Sequence, residues 1–241
     1  MTWLYLLLNL GSFSIPFLYS FEKNMRFIKH IKPLAVSTAI TGLFFILWDV
    51  WFTKMGVWGF NPKYYLGQEV LALPIEEWLF FICIPYACIF THCAIFYFNP
   101  SLKLKDKLSG FITVLLIILG LSLAFMNTDK IYTFINFIVF TLVLGFGYIT
   151  NKSLLQKFYI SFLVILIPFI LVNGILTGSF IEEEVVWYNN AENLNLRLLT
   201  IPIEDMGYAF SLLFSNLLIF ETLKKSTTLW PRKKILPKTK S

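Results

Sequence analysis

Charge is scarce in this chain. Of 241 residues only 14% are Asp, Glu, Lys or Arg, while 57% are hydrophobic and the mean hydropathy is +0.72. A water-soluble domain usually carries about 25% charged and about 45–50% apolar residues, so an ordinary cytosolic enzyme and a disordered chain are both excluded. Cysteine is nearly absent. Cys83, Cys88 and Cys93 recur every five residues inside one apolar block, with no CxxC pair and no Cys/His ligand spacing. That excludes a disulfide scaffold, and the three read as small buried apolar residues. A nucleotide fingerprint is lacking too: Gly145-Phe146-Gly147 lies within an apolar run and reads as a helix packing site. We therefore expect neither a flavin nor any other cofactor, and no metal.

Long apolar runs are what the chain does have. Seven blocks of roughly 20 residues, the length that crosses a hydrocarbon core, lie at 2–21, 33–52, 75–98, 108–126, 131–149, 158–176 and 203–223. The expected fold is an all-α membrane protein of seven transmembrane helices. The first block lacks a basic leader and a clear cleavage site, so we read it as a helix and not as a cleavable signal. With the N-terminus outside, sixteen of the twenty Lys and Arg residues fall on the cytoplasmic side, as the positive-inside rule requires. The basic tail, 225–241, then reads as a topology determinant beside anionic headgroups, and no nucleic-acid partner is expected. His30 falls in a basic loop. His92 lies deep in the third block, where a lone histidine most often bonds a neighbouring helix.

The acidic residues take the opposite side. Glu69, Glu76, Glu77, Asp129, Glu182, Glu183, Glu184, Glu192, Glu204 and Asp205 lie in outer loops or at outer helix ends, with Asp49 one turn inside. Glu182, Glu183 and Glu184 read as a solvated run. Others belong to an internal repeat. Pro74-Ile75-Glu76-Glu77 opens the third block and Pro202-Ile203-Glu204-Asp205 the seventh, with Phe80 and Tyr208 each four residues after the first glutamate. Trp58 and Trp187 precede the two motifs, and Asp49 parallels Asn173. The expected organisation is a first three-helix repeat at 1–99, a linking helix at 100–129, and a second repeat at 130–224. One linking helix keeps the two repeats parallel, about an axis normal to the membrane.

A proline and an acid in a first helical turn are ordinary helix-start signals. Two copies at one depth, each leading into an apolar aromatic helix, point further, because ionisable groups in a membrane usually face a bundle interior. Adjacent helical residues diverge by about 100°. We expect Glu76 and Glu204 to face inward, each with its i+4 aromatic, and Glu77 and Asp205 to support them or take part in sharing the proton. Such carboxyls in a dry, aromatic pocket offer a proton donor and its conjugate base. Trp58, Tyr64, Tyr65, Trp187 and Tyr188, in the two loops leading to the motifs, read either as an interfacial belt or as pocket walls whose ring faces stabilise a cation.

On these motifs the chain resembles the integral-membrane lycopene cyclases of the heterodimeric type, whose two homologous subunits also occur fused in one chain. The family's Pro-x-Glu-Glu/Asp motif stands at Pro74 to Glu77 and at Pro202 to Asp205. Its Trp-Asp pair is Trp48-Asp49, and its Asn-Gly-x-Leu-Thr-Gly is 173–178. The resemblance covers 4–221. The short stretch beyond gives no expectation of a fused phytoene synthase. What it implies is an intramolecular lyase that cyclises the ψ ends of lycopene to β rings, through γ-carotene to β-carotene, in a bacterial cytoplasmic membrane. Glu76, Glu77, Glu204 and Asp205 would be catalytic, and Asp49, Asn173, Trp48, Trp58, Phe80, Trp187 and Tyr208 would bind substrate. The implied partners are a hydrophobic polyene, the lipid bilayer and other enzymes of carotenoid synthesis. A cyclase of a C50 carotenoid, one giving ε or γ ends, and a proton-coupled transporter remain open alternatives. The oligomeric state is left open.

Overall fold

The structure is a computed structural model, described here for residues 1–226. Seven α-helices follow one another: α1 Leu4–Tyr19, α2 Ile31–Met55, α3 Ile75–Phe98, α4 Asp106–Met126, α5 Ile131–Thr150, α6 Lys152–Leu176 and α7 Glu204–Ser226. Six of them, α2 to α7, are long and apolar enough to cross a membrane, whereas α1 is shorter at 16 residues. Helices suit such sequences because each satisfies its own backbone polar groups where no water can. Their outward side chains, among them Leu43, Phe111, Ile118, Ile149 and Ile167, are exposed apolar groups of the kind lipid accepts. The basic tail beyond Ser226 lies outside the described residues.

Local chemistry sets the helix ends. Gly56, at a φ of 72°, closes α2 by donating its N–H to the carbonyls of Phe52 and Thr53, the left-handed cap that glycine adopts without strain. Asn151 starts α6 by accepting a bond from the Leu154 N–H. That cap extends α6 to Lys152, so the helix begins a turn and a half before the apolar block at 158 that we expected to mark it. Hydropathy marks where lipid starts, and capping marks where the helix does.

The core is aromatic. Phe158, Phe210 and Phe214 pack where α6 meets α7, with ring centroids 4.9–5.7 Å apart. α3 lies against α1, α2, α6 and α7, while α4 packs mainly on α5 at the edge. His92 of α3 bonds Ser161 of α6 at 2.7 Å, tying two spans together.

The loops on the acidic side hold six short strands in three antiparallel pairs, which the seven-block reading did not anticipate. β2 (Glu69–Val70) pairs with β3 (Leu73–Pro74) just before α3, and β5 (Arg197–Leu198) pairs with β6 (Ile201–Pro202) just before α7. In each hairpin the proline that starts the motif faces the residue five before it, Glu69 in one and Arg197 in the other. β1 (Trp58–Phe60) pairs with β4 (Val186–Tyr188), joining the loops of the two halves.

Candidate active site

Each acidic motif is locked to the first helix of its own half by matching bonds. In the first half Asn9 donates to the Glu76 carbonyl at 2.8 Å, the Leu66 N–H donates to Glu76 Oε1 at 2.8 Å, and the Tyr5 hydroxyl donates to Glu77 Oε2. In the second half Asn136 donates to the Glu204 carbonyl at 2.7 Å, the Leu194 N–H to Glu204 Oε1 at 2.7 Å, and the Tyr132 hydroxyl to Asp205 Oδ1 at 2.5 Å. Thr133 adds a bond to Glu204 Oε1 at 2.6 Å. The first glutamate of each motif therefore fastens a loop to the start of a helix, and the second acid is held by a buried tyrosine.

A cavity of about 490 Å³ lies between α1, α3, α6 and α7. Its acidic end holds three carboxyls, Asp49, Glu77 and Asp205, together with Asn173 and four tyrosines, Tyr5, Tyr132, Tyr188 and Tyr208. The rest of the wall is mostly apolar, including Phe80, Ile84, Cys88, Ile165, Phe169 and Leu213, and the hydroxyls of Ser12 and Thr91 there donate to carbonyls of their own helices. β1 and β4 cover the acidic end. Alternation along a strand sends successive side chains to opposite faces, so Trp58, Phe60, Val186 and Tyr188 point into the cavity and Gly59 and Trp187 point away. Gly59 is required there, because a Cβ would sit 2.3 Å from the Trp187 ring.

The three carboxyls are partnered differently. Asp49 and Glu77 adjoin each other in the cavity lining and interact directly. The Trp58 indole donates to Asp49 Oδ1 at 2.5 Å. Asp205 instead receives three donors: Tyr132 on Oδ1, and Asn173 and Tyr188 on Oδ2, both at 2.9 Å. Burial, and then the Asp205 carboxyl, holds the Tyr188 phenol well above its usual range, which keeps its proton in place for that bond. Two adjoining carboxyls in a dry site do not both ionise and so can share one proton, while three donors on one carboxylate leave it no role but acceptor.

Of the expected site residues, Asp49, Glu77, Asp205, Asn173, Trp58, Phe80 and Tyr208 line the cavity. The expected orientation of the motif acids is reversed. Glu77 and Asp205 face the cavity, while Glu76 and Glu204 are fully buried beside it, turned onto the loop amides. Trp48 sits outside the lining, buried among Phe45, Phe52 and Tyr208. Trp187 lies on the far side of its strand and is 39% exposed. Tyr5, Asn9, Tyr132 and Asn136 were not expected. A repeat gave their signal: Tyr5-Leu-Leu-Leu-Asn9 and Tyr132-Thr-Phe-Ile-Asn136 share one Tyr-x-x-x-Asn spacing. Among the described residues no cluster of three or more His, Cys, Asp or Glu is arranged to hold a metal ion.

A sequence model of the family described as lycopene cyclase matches the chain twice, at residues 2–96 and 129–223. The two matches span most of the chain and coincide with the two halves that carry the matching bonds. The chain belongs to the lycopene cyclase family, as two homologous halves fused into one polypeptide. No curated protein and no solved structure matched it.

Proposed function

We propose that this member of the lycopene cyclase family converts the ψ ends of lycopene into β rings, giving γ-carotene and then β-carotene, with no net redox change. The observation that carries the reading is the clustering of Asp49, Glu77 and Asp205 at one end of an otherwise mostly apolar cavity. A polyene fits the apolar part, and the carboxyls meet its end group.

The shared proton of Asp49 and Glu77 makes that pair the acid. It protonates C2 of the terminal C1=C2 bond and leaves a tertiary cation at C1. The C5=C6 bond attacks through C6, closing the C1–C6 bond and moving the positive charge to C5. Loss of the C6 proton restores a C5=C6 bond inside the new ring. Asp205, held as an acceptor by three donors, takes that proton or steadies the charge until the emptied acid pair takes it back. Atoms balance within the substrate, because one proton enters at C2 and one leaves from C6. The rings of Trp58, Tyr188, Phe80 and Tyr208 offer their faces to the cation, an attraction of about 0.5–2 kcal/mol per ring that desolvation strengthens. Glu76 and Glu204 act as positioning residues that hold the two helix starts.

In the same reading all seven helices cross the bilayer, with the N-terminus outside. The two halves stand parallel, joined by α4, and the site lies in the outer leaflet. Expression of the chain in a lycopene-accumulating host tests it. Cyclic carotenoids are expected, and unchanged lycopene alongside membrane-inserted protein would reject the assignment.

A further inference from the structure

The cavity is one-sided, although the acidic motifs come in pairs. On α3 it runs from Glu77 to Thr91, fourteen residues that cover about 21 Å at about 1.5 Å per residue. Part of its wall faces outward: Gly11 and Ile15 of α1, and Pro168 and Leu171 of α6, line the cavity and are also exposed on the apolar surface. α1 and α6 touch only sparsely, and a side chain added at Gly11 would meet nothing within 4 Å.

At the counterpart positions on α2, large rings pack against α5 and α7: Phe52 meets Tyr132 and Trp48 meets Tyr208. Asn173 corresponds to Asp49, so Val172 and Leu176 of α6 correspond to Trp48 and Phe52 of α2. Where α6 carries aliphatic residues, α2 carries large rings. Trp48 is 6% exposed and stacks on Phe45 at 5.6 Å, and it meets Tyr208 at 5.1 Å and Phe52 at 5.6 Å.

We infer that the linear polyene enters sideways from the lipid, between α1 and α6, into a single slot, and that the two ends of one molecule are cyclised in separate visits. The inference rests on the cyclase reading. Only one end group at a time reaches the carboxyls, and the counterpart positions, packed with rings, offer the other end no place. The one-ring product withdraws through the same gap, returns to the bilayer and re-enters by its uncyclised end.

An isotope chase on the unaltered protein in phospholipid vesicles tests this. Labelled lycopene is supplied until one-ring product appears, and a large excess of unlabelled lycopene is then added. Labelled two-ring product should stop accumulating, because labelled one-ring molecules must compete for the slot. Labelled two-ring product forming at an undiminished rate would overturn the inference. The variant Gly11→Trp places a ring in the gap, and Leu142→Trp places one at an exposed position of α5 that corresponds to Ile15, the neighbour of Gly11 in the gap. Gly11→Trp should slow cyclisation about tenfold or more, equivalent to about 1.4 kcal/mol on the barrier. Leu142→Trp should match the unaltered chain. Equal rates for the two variants would overturn the gap. If the unaltered chain leaves lycopene unconverted, the cyclase reading fails and takes this inference with it.

Discussion

At the residue scale, the two acids of each motif divide their work by direction. Glu77 faces the cavity beside Asp49, whereas Glu76 accepts a loop N–H ten residues earlier. The amide Gln can still accept that N–H but cannot supply an acid proton. Glu77→Gln should therefore lower the initial rate of lycopene conversion by about 10²–10⁴-fold, the usual contribution of a general acid, while Glu76→Gln retains most of it. Pigment analysis of membranes normalised for protein content checks both, and equal losses would remove the division. The sequence made the four motif acids conspicuous but misled about their direction. A single i+4 aromatic set the expected face. The lined stripe Glu77, Phe80, Ile84, Cys88 and Thr91 follows helical spacing over four turns and centres nearer Glu77 than Glu76.

At the scale of elements, the apolar blocks revealed the helices because lipid imposes a length and a composition. The strand pairs were not legible in that way. Each has only two or three residues, too short for alternation to register as a pattern, and β1 and β4 find each other across more than a hundred residues. Trp187 illustrates the consequence. Strand alternation turns it away from the cavity onto Gly59, where an added Cβ would come within 2.3 Å of its ring. Gly59→Ala should therefore force the ribbon apart and cost about 1–3 kcal/mol, as overpacking does. Thermal unfolding of the detergent-solubilised protein would show a lowered midpoint. Adding Trp187→Ala should relieve the clash, and a midpoint unaffected by Gly59→Ala would mean that the ribbon yields freely.

At the scale of the whole molecule, the two halves need each other. The acid pair comes from α2 and α3, the triply bonded carboxylate from α7, and the slot wall from α1, α3, α6 and α7. Helices of one half pack on those of the other, α2 on α7 and α3 on α6. Cutting the chain in the loop between α3 and α4 leaves all of these contacts available. The fragments 1–102 and 103–241 should therefore restore cyclisation when co-expressed, and neither should cyclise alone. Activity from one fragment by itself would show that the site is not shared. The duplication was readable from the paired motifs. Its asymmetry was not, because it depends on whether Trp48 and Phe52 or their smaller counterparts Val172 and Leu176 fill the space beside the acids. That is a question of volume in three dimensions, on which the spacing of motifs is silent.

Cyclisation is tested most directly by supplying lycopene to washed membranes containing this chain, with no nucleotide or reductant added, and analysing the pigment by chromatography and mass. Ring-bearing products of the same mass as lycopene are expected, and they should be lost in the Glu77→Gln variant. Lycopene recovered unchanged from the unaltered chain, or equal conversion by both proteins, would contradict this expectation.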